Sequence, residues 1–314
     1  MLNYVIRRLL FLIPVLLVIS VISFSIIYII PGDTAEILLT SPSGGSDQKA
    51  VEEFRKEMGL DEPLYIQYFN WLGNVLHGNL GYSYMTDRPV FETIFDKFTS
   101  TLRLSVVSLI ISLLIAVPGG ILAALKHDTW VDDLSRFTSL IGISMPNFWL
   151  GFLLIIVFSI TFDWLPVGGY GDGGLQYMLL PAIALGTSSA AVIMRLMRSS
   201  MIEIMEQDYV RAARARGLSE LSVVGKHALK NALIPVVTMI GLNFGYLLNG
   251  SVVVETVFNW PGIGTLVVDS IENRDYPMVQ GSLLFIALLF VTVNFMVDLS
   301  YAYLNPKIRY EKDN

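Results

Sequence analysis

Three histidines, His77, His127 and His227, are the only imidazoles in a chain of 314 residues, and each sits in a different segment. A transition-metal site needs its ligands at short helical or turn spacing, so these three make none by sequence, and no metal or other cofactor is expected. There is no cysteine, which excludes thiolate ligation, disulfides and cysteine nucleophiles. No Gly-x-x-x-x-Gly-Lys-[Ser/Thr] loop occurs, so the chain itself should neither bind nor hydrolyse ATP. Nor is there an H-E-x-x-H sequence or a Ser/His/Asp grouping of the kind an intramembrane protease needs. The residues that could do covalent chemistry are missing, and the enzyme class falls with them.

What remains are polar groups set in apolar surroundings, which by default mark pathways or helix contacts. Asn243 and Asn249 share one apolar stretch with Gly241, Gly245 and Gly250. That pattern suits close helix packing or a polar pore wall. Asn294 and Asp298 are four apart and share one helical face. They point toward a path or a helix contact, unless Asp298 is near enough to a membrane surface to be solvated. Glu255 and the run Trp260-Pro261-Gly262 lie between two apolar stretches, where Pro and Gly would fix a tight loop.

The elements that must hold these residues are membrane helices. Hydrophobic residues make up 54% of the chain and charged ones 15%, against about 25% charged in soluble domains; mean hydropathy is +0.60. A bilayer core of about 30 Å needs roughly 20 apolar residues as helix. Six stretches qualify: 9–30, 104–125, 137–162, 177–194, 233–254 and 282–303. The first follows Arg7 and Arg8 but is about twice the length of a signal-peptide core, and no small-residue cleavage site follows. It reads as a retained anchor helix. With the N-terminus in the cytoplasm, 14 of the 21 Lys and Arg fall in cytoplasmic segments, and the outer segments hold seven against 17 acidic residues. The positive-inside rule then places both termini inside. A net charge of −6 leaves nucleic acid out as a partner.

Two segments break the membrane pattern. Residues 31–100 are too long for a simple loop. Ser46-Asp47 suits a helix N-cap, Gly59 a helix end, and Pro63 opens an aromatic-rich helical stretch over 64–76, so a small external helical subdomain is expected. Within the cytoplasmic stretch 205–231, Ala212, Ala213 and Ala215 favour a slim helix that another surface can approach closely. Gly217 suits its end, and a second helical turn leads back to the membrane. The domains are thus 1–30 (N-terminal segment and first transmembrane helix), 31–100 (external helical insertion) and 101–314 (transmembrane core containing the cytoplasmic loop 205–231).

The stretch Arg211-Ala212-Ala213-Arg214-Ala215-Arg216-Gly217 resembles the loop that couples membrane subunits of binding-protein-dependent ABC importers to their ATPases. The leading Glu of the family pattern is Arg here, and Lys226-His227-Ala228-Leu229-Lys230-Asn231 replaces its usual sequel. Both are habits of the dipeptide, oligopeptide and nickel branch. Met1-Leu2-Asn3-Tyr4, Pro31-Gly32-Asp33, Gly59-Leu60-Asp61-Glu62-Pro63, Asn79-Leu80-Gly81-Tyr82-Ser83, Ser144-Met145-Pro146-Asn147, Glu255-x-x-Phe-x-Trp-Pro-Gly-x-Gly and Asn305-Pro306-Lys307 resemble the first permease subunit of that branch. The resemblance implies an all-α membrane protein of six transmembrane helices with the type I importer permease fold, in a bacterial or archaeal cytoplasmic membrane. It implies import of short peptides, with glutathione or a nickel chelate as alternative cargo. A membrane sensor or scaffold is the reading from another class, and it lacks the soluble signalling domain it would need. Implied partners are a homologous second permease, two ATP-binding subunits and an extracytoplasmic substrate-binding protein. Asp208, Tyr209, Arg211, Ala212, Ala213, Arg214, Arg216 and Gly217 would form the ATPase-coupling surface. Asn243, Asn249, Glu255, Trp260, Pro261, Asn294 and Asp298 would be pathway or gate candidates.

Overall fold

A computed structural model describes residues 2–29, 48–57, 61–250 and 252–304. Among them the backbone is helix and turn, with one antiparallel bridge between Tyr82 and Pro89. Pro31-Gly32-Asp33, the Ser46-Asp47 cap, Gly59 and the tail from Asn305 lie outside the described residues, as do the side chains of Asn249 and Asp298.

The chain opens with α1 (Leu2–Ile29), α2 (Gln48–Glu57) and α3 (Leu64–Leu76). Then come α4 (Val90–Leu125), α5 (Trp130–Ser144) and α6 (Asn147–Leu154), the last passing into a π-helical stretch over Ile155–Thr161. Helix α7 (Leu175–Met205) is followed by the short α8 (Asp208–Ala215) and α9 (Glu220–Ser222). A π-helical stretch, Val223–Ala228, leads into α10 (Leu229–Gly250). The chain then forms α11 (Val252–Val257), α12 (Ile263–Glu272) and α13 (Tyr276–Leu304).

Among the described residues α4, α7, the run from α9 through α10, and α13 are each long and apolar enough to cross a membrane. Helix α1 carries the first apolar stretch. The apolar stretch expected over 137–162 is broken in the structure: α5 and α6 qualify as a membrane span only as a pair, bent by 104°. The break falls at Met145-Pro146. Proline has no N–H, and its ring pushes the preceding residue out of the helical region; Met145 accordingly sits at φ −83°, ψ 123°.

Two compact units divide the chain, one holding 98–265 with the stretch from Phe290 onward, the other 2–97 with 266–289. Within the first, α7 is the enclosed element. Leu104, Met178, Leu185, Phe258 and Trp260 form one core cluster, and Ala116, Ile193, Met197, Met201 and Val236 another. Glycine lets α4 and α7 meet backbone to backbone: a Cβ at Gly186 would stand 2.7 Å from the Ser108 carbonyl oxygen, and one at Gly120 2.8 Å from that of Met194. Small residues serve this purpose in membranes, where lipid is as apolar as leucine and packing must come from close contact. In the second unit α3 lies on α1. Tyr68 and Ser20 share a hydroxyl hydrogen bond of 2.8 Å, and Phe24 packs against Tyr68 and Trp71.

Candidate functional site

Residues 205–231 leave α7 and return to α10 through two short helices. Gln207, at φ −68° and ψ 146°, turns the chain into α8. Val210 and Ala213, three apart on one face, are buried against Val223 with Ile204 and Met205 around them. The other face is open: Asp208, Tyr209, Arg211, Ala212, Arg214 and Arg216 are exposed. The two alanines grouped by sequence therefore have different positions, because i and i+3 share a helical face while neighbours do not. Ala213 is part of the anchor and Ala212 faces outward.

Gly217 ends α8 at φ +78°, with nothing within 4 Å of where a Cβ would stand. Its backbone conformation, not lack of space, requires glycine. Its N–H donates to the Arg214 carbonyl at 2.9 Å, the pattern of a helix C-terminal cap. The Arg214 guanidinium then bridges to Glu220 on α9 at 2.7 and 3.4 Å. Asn231 at the start of α10 donates to the Tyr209 hydroxyl at 2.7 Å. Short as it is, α8 is pinned at its buried face, at its end and to α10. Leu221 on α9 is 89% exposed, and no pattern in the sequence singles it out.

Glu255, Trp260 and Pro261 occupy a second site in the same unit. The Glu255 side chain is fully buried. Oε1 accepts the Thr101 hydroxyl at 2.7 Å, and Oε2 accepts the backbone N–H of Gly264 at 2.7 Å and of Thr265 at 3.4 Å. Thr101 Oγ1 accepts the N–H of Ile263 at 2.9 Å. The carboxylate thus holds the first turn of α12, whose unpaired N–H groups favour negative charge. A Cβ at Gly262 would overlap the carboxylate. The Trp260 indole N–H donates to the Ser100 carbonyl at 3.1 Å, and its ring packs on Tyr170. Pro261 is half-buried beside it. Together these contacts clamp the 258–263 turn onto α4.

The amide of Asn243 donates to the Met239 carbonyl of its own helix at 2.9 Å, and Asn294 is half-buried on α13. Gly241 and Gly245 face Val297 and Val293 at packing distance, which makes that stretch of α10 a helix-packing surface toward α13. His127, Asp128 and Asp132 come within 4.8 Å of one another. Both carboxylate oxygens of Asp132 are already taken by the Arg198 guanidinium, at 2.5 and 2.7 Å, and a cation so placed opposes a metal ion.

Long apolar helices, a pinned helical element with one open face between two of them, and a folded clasp make up a polytopic membrane protein. Residues 116–310 match the family described as binding-protein-dependent transport system inner membrane component, and residues 1–105 its N-terminal membrane component. The chain belongs to that family: it is the multi-pass inner-membrane permease of an ABC importer, and it has the type I permease fold. The glutathione transport system permease protein GsiC of Escherichia coli O6:H1 strain CFT073 is 47% identical over 99% of this chain and 100% of its own length. The GsiC of strain K12 is 46% identical over the same shares. Among solved structures, inward-facing conformations of the MetNI methionine ABC transporter superpose at TM-score 0.56 with 18% identity, covering 68% of this chain and 96% of that one. An amino acid ABC transporter with histidines gives 0.51 and 16%, covering 68% and 94%.

Proposed function

We propose that this chain imports short peptides of the glutathione class, paired with a homologous second permease and driven by two ATP-binding subunits that seat on α8. An extracytoplasmic binding protein delivers the cargo, helped by the 31–100 insertion. The path runs between the two permeases, and both termini are cytoplasmic. Support for the cargo is the end-to-end relation to the GsiC permeases, named for glutathione transport. The observation that carries the mechanism is the pinned α8 with its open face. Force from an ATPase needs a rigid element with two discrete placements. Val210 and Ala213 on one side and the Arg214–Glu220 and Tyr209–Asn231 links on the other give α8 the rigidity this needs. Asp208, Tyr209, Arg211, Ala212, Arg214 and Arg216 form its pushing surface, and Gly217 sets its end. The clamped turn at Glu255, Trp260 and Pro261 holds the outer ends of the helices in step, as a gate requires.

The test is uptake by the whole importer in right-side-out vesicles, with the binding protein outside and ATP enclosed. Labelled glutathione should accumulate only with ATP, ahead of a dipeptide, a longer peptide or a nickel chelate; a different cargo order would reassign the substrate. Gly217→Val puts a β-branched residue at positive φ, at a cost of roughly 1–2 kcal/mol, enough to displace the end of α8. The variant should insert normally and the assembled ATPase subunits should still hydrolyse ATP while uptake falls about tenfold. Uptake at the wild-type rate would overturn the coupling role.

A further inference from the structure

Helices α5 and α7 run antiparallel along a closely packed seam. Asp132 pairs with Arg198, the hydroxyls of Ser135 and Ser139 reach Met194 Sδ at 3.2 and 3.4 Å, and a Cβ at Gly142 would stand 2.9 Å from that of Ala191. Beside the seam lies an open groove of about 580 Å³, lined by Arg136, Leu140 and Ile143 from α5 and by Val192, Arg195 and Ser199 from α7. Each triplet has the three- and four-residue steps of a single helical face. The register sorts the lining by polarity. By the register of these contacts Arg136 and Arg195 lie level, Arg198 and Ser199 fall a turn further out, and Leu140, Ile143 and Val192 lie further in.

The cations at this end are unevenly matched. Arg198 is held by Asp132, and Arg136 donates to Asp133 at 2.7 Å. Arg195 is exposed, and among the described residues no carboxylate pairs with it or lines the groove. The groove therefore combines an uncompensated guanidinium with an apolar floor. It also starts at the depth where headgroups lie: α5 opens on Trp130, 74% exposed, the residue type that marks the membrane–water boundary. From there the exposed Phe137 and Leu140 continue along the same helix.

We propose that this groove is a binding site for an anionic phospholipid. The phosphodiester is held by Arg195 and Arg136 with the Ser199 hydroxyl beside it, and an acyl chain lies along Leu140, Ile143 and Val192. Guanidinium groups form strong charge-assisted bonds to phosphate oxygens, and basic pockets between membrane helices on the cytoplasmic side are suited to such headgroups. A soluble phosphate compound would satisfy the arginines but leave the apolar floor bare, which is why the lipid is the favoured source of the phosphate.

The experiment is native mass spectrometry of the full-length chain, with the subunits that copurify, released from nanodiscs containing phosphatidylglycerol and phosphatidylcholine in equal amounts. Phosphatidylglycerol should be retained in preference to phosphatidylcholine. Its retention should fall about fivefold in Arg195→Gln, the effect of one interfacial cation, and return in Arg195→Lys. Millimolar glycerol phosphate should not displace it. Equal retention of the two lipids by the wild type, which needs no variant to fold, would overturn the proposal. So would unchanged retention in Arg195→Gln or displacement by glycerol phosphate. If Arg195→Gln releases the paired permease and leaves the lipid in place, the groove is a subunit interface and the lipid site is refuted.

Discussion

Glu255 spends its two carboxylate oxygens on one hydroxyl and two backbone N–H groups, all buried. Replacing it with glutamine keeps the shape and removes the charge. One side-chain atom also changes from acceptor to donor and then faces either the N–H groups or the Thr101 hydroxyl, which loses the acceptor it donates to while it already accepts the Ile263 N–H. Leaving such a buried group unsatisfied costs about 1–3 kcal/mol. Glu255→Gln should therefore lower the thermal midpoint of the detergent-solubilised protein, and an unchanged midpoint would show that the clasp does not bear on stability. In sequence this residue is a pathway or gate candidate only through the family motif it opens. Its actual partner Thr101 lies 154 positions away, a separation no local pattern reports. The coupling stretch was more legible. Gly217 and the alanines are local signals, and the division of Ala212 from Ala213 follows once the burial of Val210 fixes which face turns inward.

At the scale of elements, the long helices could be read from apolar length alone, while their interruptions could not. Pro118, Pro181 and Pro235 lie inside helices that continue, whereas Pro146 begins a new one after a bend of 104°. A proline permits a break, and the packing around it decides. The turn over 79–89 is likewise invisible to periodicity, since it is held by a distant residue: Ser83 Oγ donates to Asp275 Oδ2 at 2.5 Å, and the Tyr84 N–H donates to Oδ1 at 3.1 Å. Burial, then the Asp275 carboxylate and the Tyr276 phenol, pushes the Tyr84 hydroxyl above its ordinary value of 10.0. The sign follows from the raised value. The stability Tyr84 contributes is whole below pH 10.0 and is lost as pH climbs through the folded-state value. Ultraviolet titration of the wild type minus that of Tyr84→Phe should show a phenol ionising above pH 10.0; a difference signal at or below that pH would mean the turn is open to water.

For the molecule as a whole, composition sufficed to place it in a membrane, but its sidedness rests on charge. Lys and Arg outnumber acids in the segment between the fourth and fifth stretches, while acids outnumber them in the segments outside. The translocation machinery retains positive loops in the cytoplasm, so α8 and α9 should face the ATPases and the 61–89 segment should face the binding protein. The proposed division of labour fails if either is reversed. The chain supplies its own clean background for the measurement, since it contains no cysteine. Ser219 and Thr86 are exposed positions on the two segments. Ser219→Cys should react with a membrane-impermeant maleimide only in inverted vesicles, and Thr86→Cys only in right-side-out ones. Labelling of both from the same side would break the assignment of α8 to the motor and of the insertion to delivery, because one bilayer separates those two partners.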